Sequence, residues 1–149
     1  MDVVVHIHRL AGFPRDWELP SYATAGAAAV DLRNAGPDVL LEPMQRMLIP
    51  TALAIALPHG YEAQVRPRSG LSLKRGIGLV NSPGTIDSDY RGELLIPVIN
   101  FDRGPQRIEH GERIAQMVIA PVSRVSWRDV DVLPETERAD GGFGSTGTK

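Results

Sequence analysis

The run Met47-Leu-Ile-Pro-Thr-Ala-Leu-Ala-Ile-Ala-Leu57, the turn signal Pro58-His-Gly60 and the following Tyr61-Glu-Ala-Gln-Val-Arg66 decide the fold class. The apolar run is too short to cross a bilayer, which takes about 20 residues, and Pro50 and Thr51 interrupt it. What remains is two short β-rich segments meeting at a Pro/Gly break, the pattern of consecutive strands. The same rhythm continues outward in both directions. Upstream, Val3 to Leu10 sets Val3, Val5 and Ile7 against His6 and His8. Downstream, Glu93 to Asn100, Arg113 to Ala120 and Val122 to Leu133 are further strand candidates, with Pro or Gly recurring between them. Many short strands in one chain predict an all-β fold, which a closed barrel or a jelly roll would accommodate.

Two segments invite a helical reading. Ala25 to Val30 is rich in helix-forming alanine, but six residues behind a Gly with no capping box make a poor helix, so loop or extended chain is expected. Around Ser69 the signals agree better. Ser69 can cap, Leu71 to Arg75 can form the turn, Lys74 and Arg75 suit a helix C-terminus, and Gly76 can stop it. One short helix is predicted there. Beyond Pro134 the chain turns to Glu, Thr, Arg and Asp and then to Gly141-Gly-Phe-Gly-Ser-Thr-Gly147, with no apolar face to bury. That composition predicts a mobile tail. The expected organisation is a single domain over 1–149, with a barrel over 1–133 and a glycine-rich arm over 134–149.

Bulk properties narrow the function classes. The chain has 149 residues, a formal net charge of −2 and no block of like charge long enough to serve as an interaction tail. One compact core is the expectation, with neither a nucleic-acid polymer nor a membrane surface as partner. No charged segment leads into a signal-type apolar run, so a cytoplasmic protein is expected. Cysteine is absent, which removes disulfides, thiolate nucleophiles and Cys-based zinc sites. Catalysis must therefore use oxygen, nitrogen or a weakly held metal.

Three segments carry groups capable of chemistry, each with an ordinary alternative. In Asn81-Ser-Pro-Gly-Thr-Ile-Asp87-Ser-Asp-Tyr90-Arg-Gly92, Asp87 could orient a water and Tyr90 could offer its ring to a sugar or base, or the Asp and Ser residues simply make a hairpin turn. In Arg66-Pro-Arg68-Ser69-Gly70, helix-terminal amides, a hydroxyl and arginines could converge on an anion such as phosphate, or form a capped turn with solvated arginines. In the tail, Arg138 and the glycines around Phe143, Ser145 and Thr146 could wrap phosphate and stack on a base, or be a plain Gly-Ser end. The tail comes near a phosphate-binding P-loop spacing but fails it, because Thr148 and Lys149 stand in the wrong order and no helix follows. His6 and His8 share a strand face without a third metal ligand in sight. Trp17 and Trp127 read as packing or interface residues.

Taken in order, these segments resemble the five motifs of the trimeric dUTPase family over about Tyr22 to Gly147. The first is Ala23-Thr-Ala-Gly-Ala-Ala-Ala-Val-Asp31-Leu-Arg, the second Pro67-Arg-Ser-Gly-Leu and the third Gly84-Thr-Ile-Asp-Ser-Asp-Tyr-Arg-Gly. The fourth is Gly111-Glu-Arg-Ile-Ala-Gln116 and the fifth Gly141-Gly-Phe-Gly-Ser-Thr-Gly. The chain departs from the family pattern at Ala27 and Ala29, where small Gly or Ser residues are usual. It departs again at Ala139-Asp140, where a Gly usually follows the tail arginine.

The resemblance implies a jelly-roll-like β-barrel, a homotrimer with shared active sites, and hydrolysis of dUTP to dUMP and pyrophosphate with Mg²⁺. That reaction limits uracil incorporation into DNA and supplies dUMP for thymidylate synthesis. By motif, Asp87 would position the attacking water, Asn81 would lie in the uracil pocket, and the main chain near Thr85, Ile86 and Leu95 would read the uracil edge. Tyr90 would pack on the deoxyribose. Arg68, Ser69, Gly70 and Gln116 would hold phosphates, and Asp31 would support the metal through its water shell. Arg138, Phe143, Ser145 and Thr146 would close over base and γ-phosphate. The rivals are a dCTP deaminase-like enzyme, which shares the barrel and trimer, and a dUTP-sensing regulator. The Pro67-Arg-Ser-Gly segment and glycine-rich end argue against the first, and Asp87 with the full tail against a purely binding role.

Overall fold

The computed structural model describes residues 3–142. Ten strands and one helix follow in the order β1 (His6–Arg9), β2 (Val30–Arg33), β3 (Val39–Leu41), β4 (Arg46–Ala56), β5 (Tyr61–Pro67), α1 (Ser69–Arg75), β6 (Ile77–Leu79), β7 (Gly84–Ile86), β8 (Glu93–Asn100), β9 (Gln106–Ile108) and β10 (Arg113–Pro121). The ladders form two four-stranded sheets, β1-β4-β8-β6 and β2-β10-β5-β7, and a ribbon β3-β9. The all-β, jelly-roll-like expectation holds, as two open sheets rather than one continuous closed cylinder. Leu32, Ile49, Leu94, Ile96, Val98, Ile114 and Ala115 fill the core.

The deciding stretch becomes β4 and β5. Strand β8 alternates as a half-buried strand should: Leu94, Ile96 and Val98 face the core while Leu95 points out, 42% exposed. Its pairing with β4 shifts register between Pro50 and Ala54, and Ala52 in the irregularity takes a left-handed φ of 53°. Two side-chain bonds hold it there. Thr51 Oγ1 donates to Leu94 O at 2.8 Å, and Ala52 N donates to Glu93 Oε1 at 2.8 Å. Two buried asparagines also staple loops to the sheets. Asn34 donates to Pro37 O and Glu109 O, and Asn100 to Leu41 O and Gly104 O.

Two expectations are corrected. Val122 to Leu133 is not a strand: it is exposed throughout, with Trp127 at 92%, because its alternation meets no sheet edge and no core in this chain. Ser69 does not cap the helix. It is the first helical residue, Arg68 occupies the cap position with extended backbone, and no side-chain cap bond forms. Gly76 ends the helix in the left-handed conformation as expected, its N–H bonding Ser72 O. Trp17 packs edge-on against Phe13 and tilted against His110. His6 and His8 are exposed, and no group of three potential metal ligands occurs among the described residues. Among those residues no helix is long and apolar enough to cross a membrane.

Candidate active site

One cavity of about 380 Å³ gathers Asp31, Arg68, Ser69, Gly70, Lys74 and Gln116. Strand pairing places them: Gln116 on β10 lies opposite Asp31 on β2 and Arg66 on β5, and Pro67 leads straight into Arg68 and α1. The first helical bond runs from Ser72 N to Arg68 O, so the amides of Ser69, Gly70 and Leu71 have no partner within the helix. Arg68 is fixed from two sides, with Nε 2.9 Å from Asp31 Oδ1 and Nη1 donating to Arg113 O at 3.1 Å. Arg113 Nη1 in turn lies 3.2 Å from Asp31 Oδ2. Gln116 Nε2 donates to Pro67 O at 2.8 Å, tying β10 to the helix entry. Arg75 lines the same cavity but is engaged by Glu112 and Gln106, whereas Lys74 is in no ion pair among the described residues. A concave patch with orphan amides, a hydroxyl and several cations suits a polyphosphate.

A second, smaller cavity of about 160 Å³ is lined by Thr85, Ile86, Asp87, Tyr90, Glu93 and Leu95. Here β7 delivers Thr85 and Ile86, and a turn closed by Tyr90 N donating to Asp87 O presents Asp87 and Tyr90. Arg91 Nη1 donates to Ser88 O and Tyr90 O, bracing the loop. Tyr90 Oη donates to Glu93 O at 3.0 Å. Asp87 is exposed and in no ion pair among the described residues, which leaves it available to a water or substrate. Asn81 does not line this cavity. Its amide sits at the mouth of the hairpin against Gly84, where a Cβ would come within 3.1 Å of Nδ2.

The two cavities stand at opposite ends of β5. Ile86, next to Asp87, pairs with Ala63, whereas Arg68 and Ser69 lie just past the far end of the strand at Pro67. Five residues of extended chain separate Ala63 from Arg68, roughly 17 Å at the usual rise. Reacting atoms must approach within about 3.5 Å. Within one chain, Asp87 and the phosphate-type cavity therefore stand well apart.

A family model described as dUTPase matches residues 15–147. The chain belongs to the dUTPase family. It is 54% identical over 136 residues to the deoxyuridine 5'-triphosphate nucleotidohydrolase of Wolbachia sp. subsp. Brugia malayi (strain TRS), covering 89% of this chain and 87% of that relative. It is 54% identical over 134 residues to the enzyme of the same name from Hydrogenobaculum sp. (strain Y04AAS1), covering 90% and 93%. Its fold matches a solved dUTPase of Staphylococcus bacteriophage 80alpha with dUPNHPP at a TM-score of 0.86, with 28% identity and 97% and 99% of the two chains covered. Family membership favours a dUTPase over the deaminase-like and sensor readings.

Of the residues expected from the dUTPase motifs, the structure unites Asp31, Arg68, Ser69, Gly70 and Gln116 in one cavity and Thr85, Ile86, Asp87, Tyr90 and Leu95 in the other. Arg138 lines neither; its Nε donates to Gly141 O in an exposed local turn. Phe143, Ser145 and Thr146 lie outside the described residues. Sequence reasoning missed Arg113 as the second partner of Asp31, Lys74 as a cation of the phosphate-type cavity, and Glu93 in the smaller one. Arg113 stands inside the fourth motif, so its signal was there; Glu93 had none beyond following Gly92.

Proposed function

We propose that each active site of this dUTP diphosphatase is built between chains of a homotrimer, one supplying the Arg68 cavity and another the Asp87 cavity. The observation that carries this reading is the separation of the two cavities along β5. The smaller one alone, at about 160 Å³, falls below the roughly 300 Å³ at which small-molecule sites begin. A facing copy would complete it.

In such a site dUTP is hydrolysed to dUMP and pyrophosphate. Backbone groups of Thr85, Ile86 and Leu95 hold the uracil, where fixed donors and acceptors mismatch cytosine and a close wall rejects the 5-methyl of thymine. Tyr90 packs on the deoxyribose and leaves no room for a 2′-hydroxyl. Asn81 supports the hairpin that carries this edge. Asp87 accepts a hydrogen bond from the water and directs its oxygen in line at the α-phosphorus. It works by orienting and polarising that water. Arg68, the Ser69 hydroxyl, the Gly70 amide and Gln116 bind the phosphate oxygens, and Lys74 adds charge. The bond to the bridging oxygen breaks and pyrophosphate leaves.

The donor set fits Mg²⁺ held mainly by the triphosphate. Asp31 is the one carboxylate lining the Arg68 cavity, and because both its oxygens already face arginines, contact with the ion through coordinated water suits it better than direct ligation. When bound, the ion neutralises charge that builds up on the phosphates. Residues 134–149 serve as the closing arm, with Arg138, Phe143, Ser145 and Thr146 against base and γ-phosphate. The protein works in the cytoplasm, where its nucleotide substrate is.

Mixing two dead variants tests the assembly. Arg68→Ala and Asp87→Ala should each lose turnover, and co-refolded one to one they should recover activity, because about one site in four draws both intact halves from different chains. No recovery would mean that each chain completes its own site. Asp87→Ala should still bind a non-hydrolysable dUTP analogue; loss of binding would remove the water-positioning role.

A further inference from the structure

Gly92 lies two residues beyond the Asp87–Tyr90 turn, and the Tyr90 ring rests on its bare Cα. A Cβ at this position would stand 2.3 Å from Tyr90 Oη, 2.6 Å from Cζ and 3.0 Å from Cε2. The backbone does not demand glycine here, since the glycines with left-handed φ are Gly60, Gly76 and Gly111. What demands it is the ring. Tyr90 and Glu93 line the small cavity, whereas Gly92 touches the ring without lining it. The ring's far end is tied by its hydroxyl to Glu93 O. Glu93 is itself anchored to buried Ala52 N in β4.

We propose that Gly92 is a specificity-determining positioning residue: its missing side chain sets how far the Tyr90 wall stands back and so fixes the depth of the pentose site. The inference rests on the reading of this cavity as the deoxyribose site. A side chain at 92 pushes the ring forward into the space a deoxyribose occupies. It leaves the phosphate cavity untouched, because that cavity is formed by other elements.

The test is a double-mutant cycle on Gly92→Ala and Tyr90→Ala, read as kcat and KM for dUTP and UTP together with thermal unfolding. Gly92→Ala should raise KM for dUTP about tenfold with a smaller change in kcat, since a shift of ring atoms by an ångström is enough to spoil the fit. Tyr90→Ala alone should narrow the preference for dUTP over UTP. In the Tyr90→Ala background, Gly92→Ala should cost nothing further, because the atoms it strikes are gone. An equal penalty in both backgrounds, or an unchanged KM in Gly92→Ala, would overturn the proposal. Should Ala at 92 prevent folding, the double variant must fold again, and its failure to do so would equally overturn it. Silence of the unmutated protein on dUTP would sink the site reading and this inference with it, whereas normal turnover with no coupling sinks the inference alone.

Discussion

Asp31 Oδ1 lies 2.9 Å from Arg68 Nε, joining the end of the first motif to the start of the second across the mouth of the phosphate cavity. Both side chains are about one-third exposed, so the pair adds little to stability, less than about 1 kcal/mol. Its value lies in holding a cation at a fixed place. Asp31→Asn should lower global stability by less than about 1 kcal/mol while raising KM for dUTP about tenfold, because a loosened guanidinium must be ordered again on binding. Chemical denaturation beside steady-state kinetics checks this. A large stability loss with unchanged KM would make the pair purely structural.

Glu93 and Ala52 form a second cross-link with the opposite balance. Ala52 is 4% exposed and its N–H has Glu93 Oε1 as acceptor. Glu93→Ala strands a buried donor and should destabilise the fold by about 1–3 kcal/mol. Glu93→Gln keeps an acceptor oxygen and should cost well under half of that. Urea midpoints of the two variants decide it; equal losses would show that charge rather than acceptance matters.

How much of this was legible beforehand depends on segment length and on where partners come from. Glu93–Asn100 was read with its true boundaries and β5 within one residue, because seven or eight residues suffice to show alternation and Pro or Gly marks their ends. Strands β3, β6, β7 and β9 are three residues each and carry no period to read. Val122–Leu133 shows the converse, a strand-like pattern that finds no partner within its own chain. Asn81 and Arg138 line neither cavity, whereas Asp31, Arg68, Ser69, Gly70 and Gln116 share one and Thr85, Ile86, Asp87, Tyr90 and Leu95 the other. The separation of the two cavities along β5 was invisible in the sequence, since it depends on which strands flank β5 and in what register.

Asp38 gives a pH signature away from the site. Its carboxyl is held below the usual range, first by the hydrogen bond from Arg107 at 2.6 Å and next by the one from His110 N at 2.7 Å. A carboxyl depressed in the folded state adds stability that is present above its unfolded pKa, near 4, and is lost as pH falls through the folded value. The melting temperature of the parent should therefore exceed that of Asp38→Asn at neutral pH, and the gap should close in strong acid. Because the pair is open to solvent, molar salt should shrink the gap too. A gap that widened on acidification would contradict the sign.

Ala139 stands where a glycine usually follows the tail arginine in this family, and its φ is 45°. Its N–H donates to Thr136 O, and Gly141 N donates to Arg138 O, so two turns meet at a residue whose Cβ disfavours the left-handed region. That conformation costs a non-glycine residue roughly 1–2 kcal/mol, partly offset in a glycine variant by the greater freedom of the unturned chain. Ala139→Gly should therefore populate the turn more fully, slowing amide exchange at Gly141 by about threefold. Global melting should not move, because the segment is exposed and touches no core. If the arm closes from this turn, KM for dUTP should fall in parallel with the added protection. Added protection with no change in KM would detach the turn from arm closure, and faster exchange would show that glycine's freedom outweighs the strain it removes.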